Sequence, residues 1–258
     1  MILEGKTLVV CGVGAGLGRE VARVALRDGA NVVLGARTEA QLEAVTKELD
    51  PSGRRVAWVR TDIADAAQCA RLADTAASRF GSIDGLVCVA ALDNAFGGLA
   101  DSEPAQWRQV LEVNFVGTLQ LVKAFVPRLG ERGGAVILIG SQSSMLPQIP
   151  QIAYASSKGA LMTAMYFLAQ ELGPQRIRVN TVVPTWMWGP AVEGYVSGVA
   201  KQQGVSVEQI VAGITNRMAI KQIPADEDVA EAVAFLCSDR ARLITGQALL
   251  VNAGEYMR

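Results

Sequence analysis

Short apolar runs alternate with amphipathic stretches along the whole chain. The runs fall near residues 6–11, 31–36, 55–60, 84–90, 134–140, 177–183 and 247–251, each of strand length, and helical periodicity fills most of the intervals. After the first run, Leu17, Val21, Val24 and Ala25 form one stripe at helical spacing, with Gly29 as a stop. Parallel strands need crossover helices on the sheet faces, so this alternation means βαβ units. The pattern predicts an α/β fold: a doubly wound parallel sheet of the Rossmann type, three layers deep, as a single domain over residues 1–258.

The rhythm breaks once, between about Pro184 and Ala225, where PTWMWGPAVEGYVSGV carries Trp186, Trp188 and Tyr195 with two prolines and several glycines. This segment follows the carboxyl end of a strand, the edge at which open α/β sheets bind ligands. Residues 185–225 are therefore expected to form an irregular lid or substrate wall, the bland alternative being a surface excursion packed on the core or on another subunit.

Composition narrows the partners. Lys plus Arg (24) nearly balances Asp plus Glu (25) without a basic block, so no nucleic-acid partner is expected. Half of the residues are apolar and 26 are glycine, which suits buried parallel strands joined by tight turns. The scattered Cys11, Cys69, Cys88 and Cys237 read as buried thiols of a reducing compartment. No apolar run approaches the roughly 18 residues of a membrane span. TLVVCGVGAGLG has the look of a signal-peptide core, but the amphipathic helix after it favours a strand and loop, and a cytoplasmic location is expected. Histidine is absent, which removes the commonest general base and the commonest metal ligand. No metal site is expected, and proton chemistry must use another group.

Between the first strand and its helix lie Gly12, Val13, Gly14, Ala15, Gly16, Leu17 and Gly18. Glycines there permit a tight turn and close approach of a pyrophosphate to the helix amino terminus, as in dinucleotide sites. The second strand ends in Gly35, Ala36 and Arg37, where an acidic residue would bond ribose hydroxyls. Thr38 and Gln41 fit a capping box, which sets Arg37 beside a positive helix end, a placement that a nearby anion would favour. Arg37 is thus expected to meet the 2′-phosphate of NADP(H), with NAD(H) as the alternative cofactor. Asp62 ends the third strand and has two readings, a contact to the adenine amino group or a cap for the helix that begins near Asp65.

Tyr154 and Lys158 stand four residues apart in a helical pattern, so they share one face a turn apart. A phenol with a pKa near 10 trades protons poorly at neutral pH, and a neighbouring ammonium is expected to lower it. Upstream, GGAVILIG reads as a buried strand that ends in Ser141, Ser143 and Ser144, hydroxyls able to bond a carbonyl oxygen. Asn114 shares a stripe with Val110, Gly117 and Leu121; a buried amide there either ties down its own helix or organises water near the lysine.

These motifs, in this order, make the sequence resemble the classical short-chain dehydrogenase/reductase family over essentially its full length. The glycine loop at 12–18, Asn114, Ser141 thirteen before Tyr154, Lys158 four after it and RVNTVVP at 178–184 fall at family spacings. The resemblance implies a tetrad in which Tyr154 exchanges the proton on the substrate oxygen, Ser141 positions that oxygen, Lys158 binds the nicotinamide ribose and tunes Tyr154, and Asn114 holds a water relay. It also implies cofactor contacts from Gly12, Gly14, Gly16, Leu17, Gly18, Asp62, Ile63, Ala90 and Pro184, and substrate contacts from Ser141, Ser143, Trp186 and Trp188. The substrate implied is a hydrophobic small-molecule alcohol or carbonyl compound. A homotetramer or homodimer is implied through helices near 103–129 and 152–173, with VNAGEYMR near a subunit contact. The chain departs from the family pattern where Cys11 replaces a Thr, where Cys88, Val89, Ala90 and Ala91 replace Asn-Asn-Ala-Gly, where Thr185 replaces a Gly, and where Gly189 replaces a Thr that contacts the nicotinamide amide. The altered 88–91 segment motivates an alternative, a dinucleotide-binding regulator without turnover; a third reading is reduction of an activated C=C or C=N bond.

Overall fold

The computed structural model describes residues 1–129 and 133–257. Seven strands, β1 (Thr7–Cys11), β2 (Asn31–Ala36), β3 (Val56–Arg60), β4 (Gly85–Cys88), β5 (Gly134–Ile139), β6 (Ile177–Pro184) and β7 (Ala248–Val251), form one parallel sheet in the order β3-β2-β1-β4-β5-β6-β7. The order reverses between β1 and β4, so a crevice opens beyond the carboxyl ends of those strands.

Alternation along each strand separates two cores. Leu8, Val10, Val32 and Leu34 join a cluster under α1 (Leu17–Arg27), α2 (Glu39–Leu49) and α9 (Asp226–Cys237). Val9, Cys11 and Val33 face the other way, toward α3 (Ala66–Phe80), α5 (Thr118–Leu129) and α6 (Ile152–Leu172). Strands covered on both faces read as continuous apolar runs, as β1, β2, β4, β5 and β6 do, whereas the edge strands β3 and β7 are only partly buried. The three-layer, single-domain expectation holds.

The predicted α1 stripe is buried, and the helix ends at Arg27 two residues before Gly29, whose φ is +99°. Its outer face carries Arg19, Arg23 and Arg27 one turn apart. Arg19 pairs with Glu20 and with Glu48 of α2; Arg23 lies 2.7 Å from Glu20 and 2.8 Å from Glu227 of α9. Arg27 lies 2.5 Å from Glu231 of the same helix. The ladder stitches α1 to both neighbours.

Between α4 (Pro104–Leu111) and α5 the chain makes one wide helical turn with π geometry, Glu112–Gly117. Among the described residues, Pro104–Leu129 is the one helix with the length and composition of a membrane span. Its Val110, Leu121, Val122 and Phe125 are buried inside the protein, as in any covering helix of a sheet.

Two local expectations fail. Thr38 stands at the amino end of α2 but makes no side-chain cap bond, so the predicted capping box with Gln41 does not form. Residues 185–225 are not irregular: they hold α7 (Pro190–Gln203) and α8 (Val207–Thr215), which enclose a small core of Val196, Ile214, Met218 and Ile223. All four cysteines are buried free thiols.

Candidate active site

Two cavities lie end to end at the carboxyl edge of the sheet. The smaller, about 410 Å³, is lined at the strand ends by Cys11 and Gly12, Ala36 and Arg37, Thr61 to Ile63, Val89 and Ala90, and Ile139. The larger, about 790 Å³, lies beneath α7, with Ser141, Ser143, Trp186, Tyr195 and Asp226 in its walls. Tyr154, Leu17, Asp93 and Met187 line both and form the border.

The glycine loop is built for an anion. Gly12 has φ +108°, and a Cβ there would collide with the backbone nitrogen of Ala90. Gly18, by contrast, lines neither cavity; its missing side chain lets α1 close on the carbonyl of Gly12, a packing role instead of the expected cofactor contact. Gly16 starts α1 with no side-chain cap, so the first N–H groups of an 11-residue helix point toward the border of the two cavities without one. These features fit a dinucleotide laid across both cavities.

Arg37 is exposed at the rim of the smaller cavity beside Thr38 and Gln41. Asp65 itself caps α3, accepting from Ala67 N at 2.9 Å and Gln68 N at 3.1 Å. That removes the capping role considered for Asp62, which lines the smaller cavity and accepts from Ala64 N at 3.0 Å. Ile63 and Ala90 line the same cavity, whereas Pro184 is buried in β6 opposite Val251 and reaches neither cavity. Its neighbour Thr185 is the lining residue.

Helix α6 brings Tyr154 and Lys158 to one side of the crevice, with the Lys158 Nζ 5.6 Å from the centre of the Tyr154 ring. The ammonium nitrogen donates to the carbonyl of Ile139 at 2.7 Å. Lys158 is 2% exposed, and burial pulls its pKa down to about 8, with Asp93 opposing. The expected lowering of the phenol does not occur: burial pushes Tyr154 up to about 12, and the Ser141 hydroxyl beside it acts in the opposite sense. The two side chains are neighbours, but the amine is engaged with Ile139 and desolvation dominates the phenol. Ser141 and Ser143 share a hydroxyl hydrogen bond of 2.8 Å at the end of β5, and both face the larger cavity.

Asn114 lies in the wide turn and is fully buried. Its side chain accepts from Leu92 N at 2.6 Å and donates to Leu92 O at 2.9 Å and to Ser157 Oγ at 3.0 Å. The amide therefore fastens the segment after β4 to the helix that bears Tyr154 and Lys158, and it lines neither cavity. Trp186 lines the larger cavity, its ring 5.6 Å from that of Tyr195. Trp188 does not: its backbone N–H donates to Pro224 O at 2.7 Å and its ring packs against the core of the 185–225 segment, so its expected substrate contact is not formed.

Three carboxylates escaped the sequence reading. Asp93 borders both cavities and Asp226 lines the larger. Glu255 is a hub whose side chain is fully buried and accepts from Gln142 at 2.9 Å, from Gln148 at 2.6 Å and from Thr185, with Arg217 at 3.3 Å. It ties the segment after β5 to the start of the 185–225 segment.

A family model described as enoyl-(acyl carrier protein) reductase matches residues 12–255. The chain belongs to the short-chain dehydrogenase/reductase family. It is 32% identical over 250 residues to cis-4-hydroxycyclohexanecarboxylate dehydrogenase of Sinomonas cyclohexanicum, with 96% of each chain covered. It is 30% identical over 256 residues to 7alpha-hydroxysteroid dehydrogenase of Escherichia coli (strain K12), covering 98% of this chain and 94% of that one. A crystal structure of a short-chain dehydrogenase/reductase, SDR:glucose/ribitol dehydrogenase, from Brucella melitensis superposes with a TM-score of 0.88 at 29% identity, covering 100% of this chain and 99% of that one. A short-chain type dehydrogenase/reductase from Mycobacterium ulcerans gives a TM-score of 0.90 at 26% identity over 99% of this chain and 91% of that one. As a short-chain dehydrogenase/reductase this chain is an oxidoreductase, and the family generally binds NAD(P)(H) and acts on small molecules.

Proposed function

We propose that this protein moves a hydride between a nicotinamide cofactor, NADP(H) in preference to NAD(H), and an alcohol or ketone carbon of a hydrophobic small molecule, with Tyr154 as general acid/base. One observation carries the reading: Tyr154 stands at the border of two cavities, one suited to a dinucleotide and the other walled by apolar and aromatic side chains, with Ser141 and Lys158 beside it. The nicotinamide would supply or accept the hydride. The Ser141 hydroxyl holds the substrate oxygen, and the Tyr154 phenol gives that oxygen its proton on reduction or takes it on oxidation. Lys158 would hold the nicotinamide ribose, and its charge, beside the Tyr154 ring, would bring the phenol down from about 12. Asn114 acts by holding the Leu92 segment against α6. The exposed Arg37 meets the 2′-phosphate, and α7 with α8 forms a cap over the substrate. Surfaces of 103–129 and 152–173 are the proposed contacts of a homodimer or homotetramer, with part of 251–257 nearby, in a cytoplasmic enzyme.

Tyr154→Phe tests the assignment. Turnover in an alcohol and ketone panel is expected to fall about 10²- to 10⁴-fold, while NADPH binding followed by fluorescence persists. Loss of binding together with turnover would favour a structural role for the phenol. The description of the matching family model favours a second reading, reduction of an activated C=C bond. An enone consumed in preference to the matching saturated ketone would establish it.

A further inference from the structure

Asp226, the first residue of α9, has a carboxylate that the proton chemistry above leaves unused. The residue is nine-tenths buried and lines the larger cavity, yet its side chain has no hydrogen-bond or ion-pair partner among the described residues. Two glycines make room for it from opposite sides. A Cβ on Gly16 would lie 3.2 Å from Asp226 Oδ2, and one on Gly189 would lie 2.5 Å from the same atom. The carboxylate therefore sits between the uncapped start of α1 and the start of α7, where a diphosphate bound by the glycine loop would be its neighbour.

The charges around it are mostly of its own sign. Glu20 faces it from α1 and Glu193 from α7, and both raise its pKa after burial, which is the larger cause; together they bring it to about 6. Arg19 and Arg23 of α1 are committed to Glu20, Glu48 and Glu227. On its own helix, Glu227 is taken by Arg23, and Asp228 accepts from Ala225 N at 2.8 Å. The positive ends of α9, α1 and α7 are what pulls toward the anion. The cavity lining contains no lysine or arginine. A diphosphate would add further negative charge beside an unpaired, partly desolvated carboxylate, where like charges keep one acid protonated.

We infer that Asp226 meets the dinucleotide as a neutral carboxylic acid whose hydroxyl donates to an anionic oxygen of the diphosphate, so that binding takes up a proton from solvent, close to one per event from pH 7 upward. This rests on the dinucleotide reading above. Nothing in the motif pattern points to it, because Asp226 reads as one of three acids opening a helix.

The test is NADH binding to the full chain, since the diphosphate of NADH has no group that titrates near neutrality. The neutral fraction of an acid with a pKa of about 6 falls from one half at pH 6 to about one hundredth at pH 8. The wild-type dissociation constant should rise by up to about 50-fold over that interval, and calorimetry in two buffers of different ionisation enthalpy should show close to one proton taken up at pH 7. In Asp226→Asn the dissociation constant should be flat with pH and no proton should be taken up. The proton count on the wild type needs no variant, so an Asp226→Asn that fails to fold leaves the proposal exposed to refutation. Binding that is flat or tightens with pH in the wild type, or a variant that keeps the wild-type profile, overturns the inference alone. Failure of both NADH and NADPH to bind at any pH overturns the dinucleotide reading with it.

Discussion

Replacing Lys158 with methionine should stabilise the cofactor-free protein at neutral pH. The lysine is 2% exposed, and its pKa falls from 10.5 to about 8 because burial penalises the charged form. A displacement of about 2.5 units is roughly 3 kcal/mol of unfavourable free energy whenever the folded protein must carry that charge. The sign follows from proton counts. Between pH 8 and 10.5 the unfolded chain holds the proton and the folded chain does not, so the stability share of Lys158 rises with pH across that window and its full penalty applies below about 8. Methionine keeps the length of the stem and removes the charge, at a cost of about 1 kcal/mol for the lost bond to Ile139 O. Lys158→Met should therefore exceed the wild type by about 2 kcal/mol at pH 7 and lose that advantage by pH 10, where the penalty has shrunk to about 1 kcal/mol. Urea unfolding at both pH values, followed by tryptophan fluorescence, measures it. Burial pushes the four cysteine thiols above this range, so they titrate in it only in the unfolded chain, a contribution common to both proteins that cancels in the difference. A variant less stable than the wild type at pH 7, or a difference that does not change with pH, would refute the reasoning.

Three further outcomes are expected. Arg37→Asp should shift cofactor preference from NADP(H) toward NAD(H) by a factor of ten or more, read from the ratio of dissociation constants; an unchanged preference removes Arg37 from the 2′-phosphate site. Gly12→Ala should destabilise the fold by about 3 kcal/mol in thermal or urea unfolding, since its φ of +108° and the Ala90 backbone leave no place for a methyl group. Asn114→Ala should also cost about 3 kcal/mol by orphaning both backbone groups of Leu92 and loosening Ser157, and proteolysis near residue 92 should quicken.

The sheet was legible because the five inner strands are buried on both faces and the two edge strands, though partly exposed, keep the apolar runs VAWV and ALLV, so seven runs could be counted without knowing their neighbours. Tyr154, Lys158 and Ser141 were legible because helical spacing and a strand end are local properties. The 185–225 cap misled because Gly189, Pro190, Gly194, Gly198 and Gly204 punctuate it like a loop, whereas Val196 and Ala200 pack tightly enough to hold α7 as a helix. Trp188 looked like Trp186 in the sequence; both pack on the same small core, but Trp188 is paired through its backbone with Ala225 before α9 and only Trp186 also reaches the cavity. The direction of the Tyr154 shift was hidden for a related reason. Spacing supplies the neighbouring amine but not the Ile139 carbonyl that holds it.

The arginine ladder on α1 has a graded exposure whose consequence is a graded resistance to salt. The arginines grow more exposed along the helix, 29% for Arg19, 34% for Arg23 and 45% for Arg27, while each end has one carboxylate partner at 15% and another nearly half exposed. Raising ionic strength from about 0.1 to 1 M shrinks the reach of an exposed charge from roughly 10 to 3 Å, and partly buried pairs feel this least. Brine should thus unbutton the far end of the helix first and leave the end that carries the glycine turn anchored.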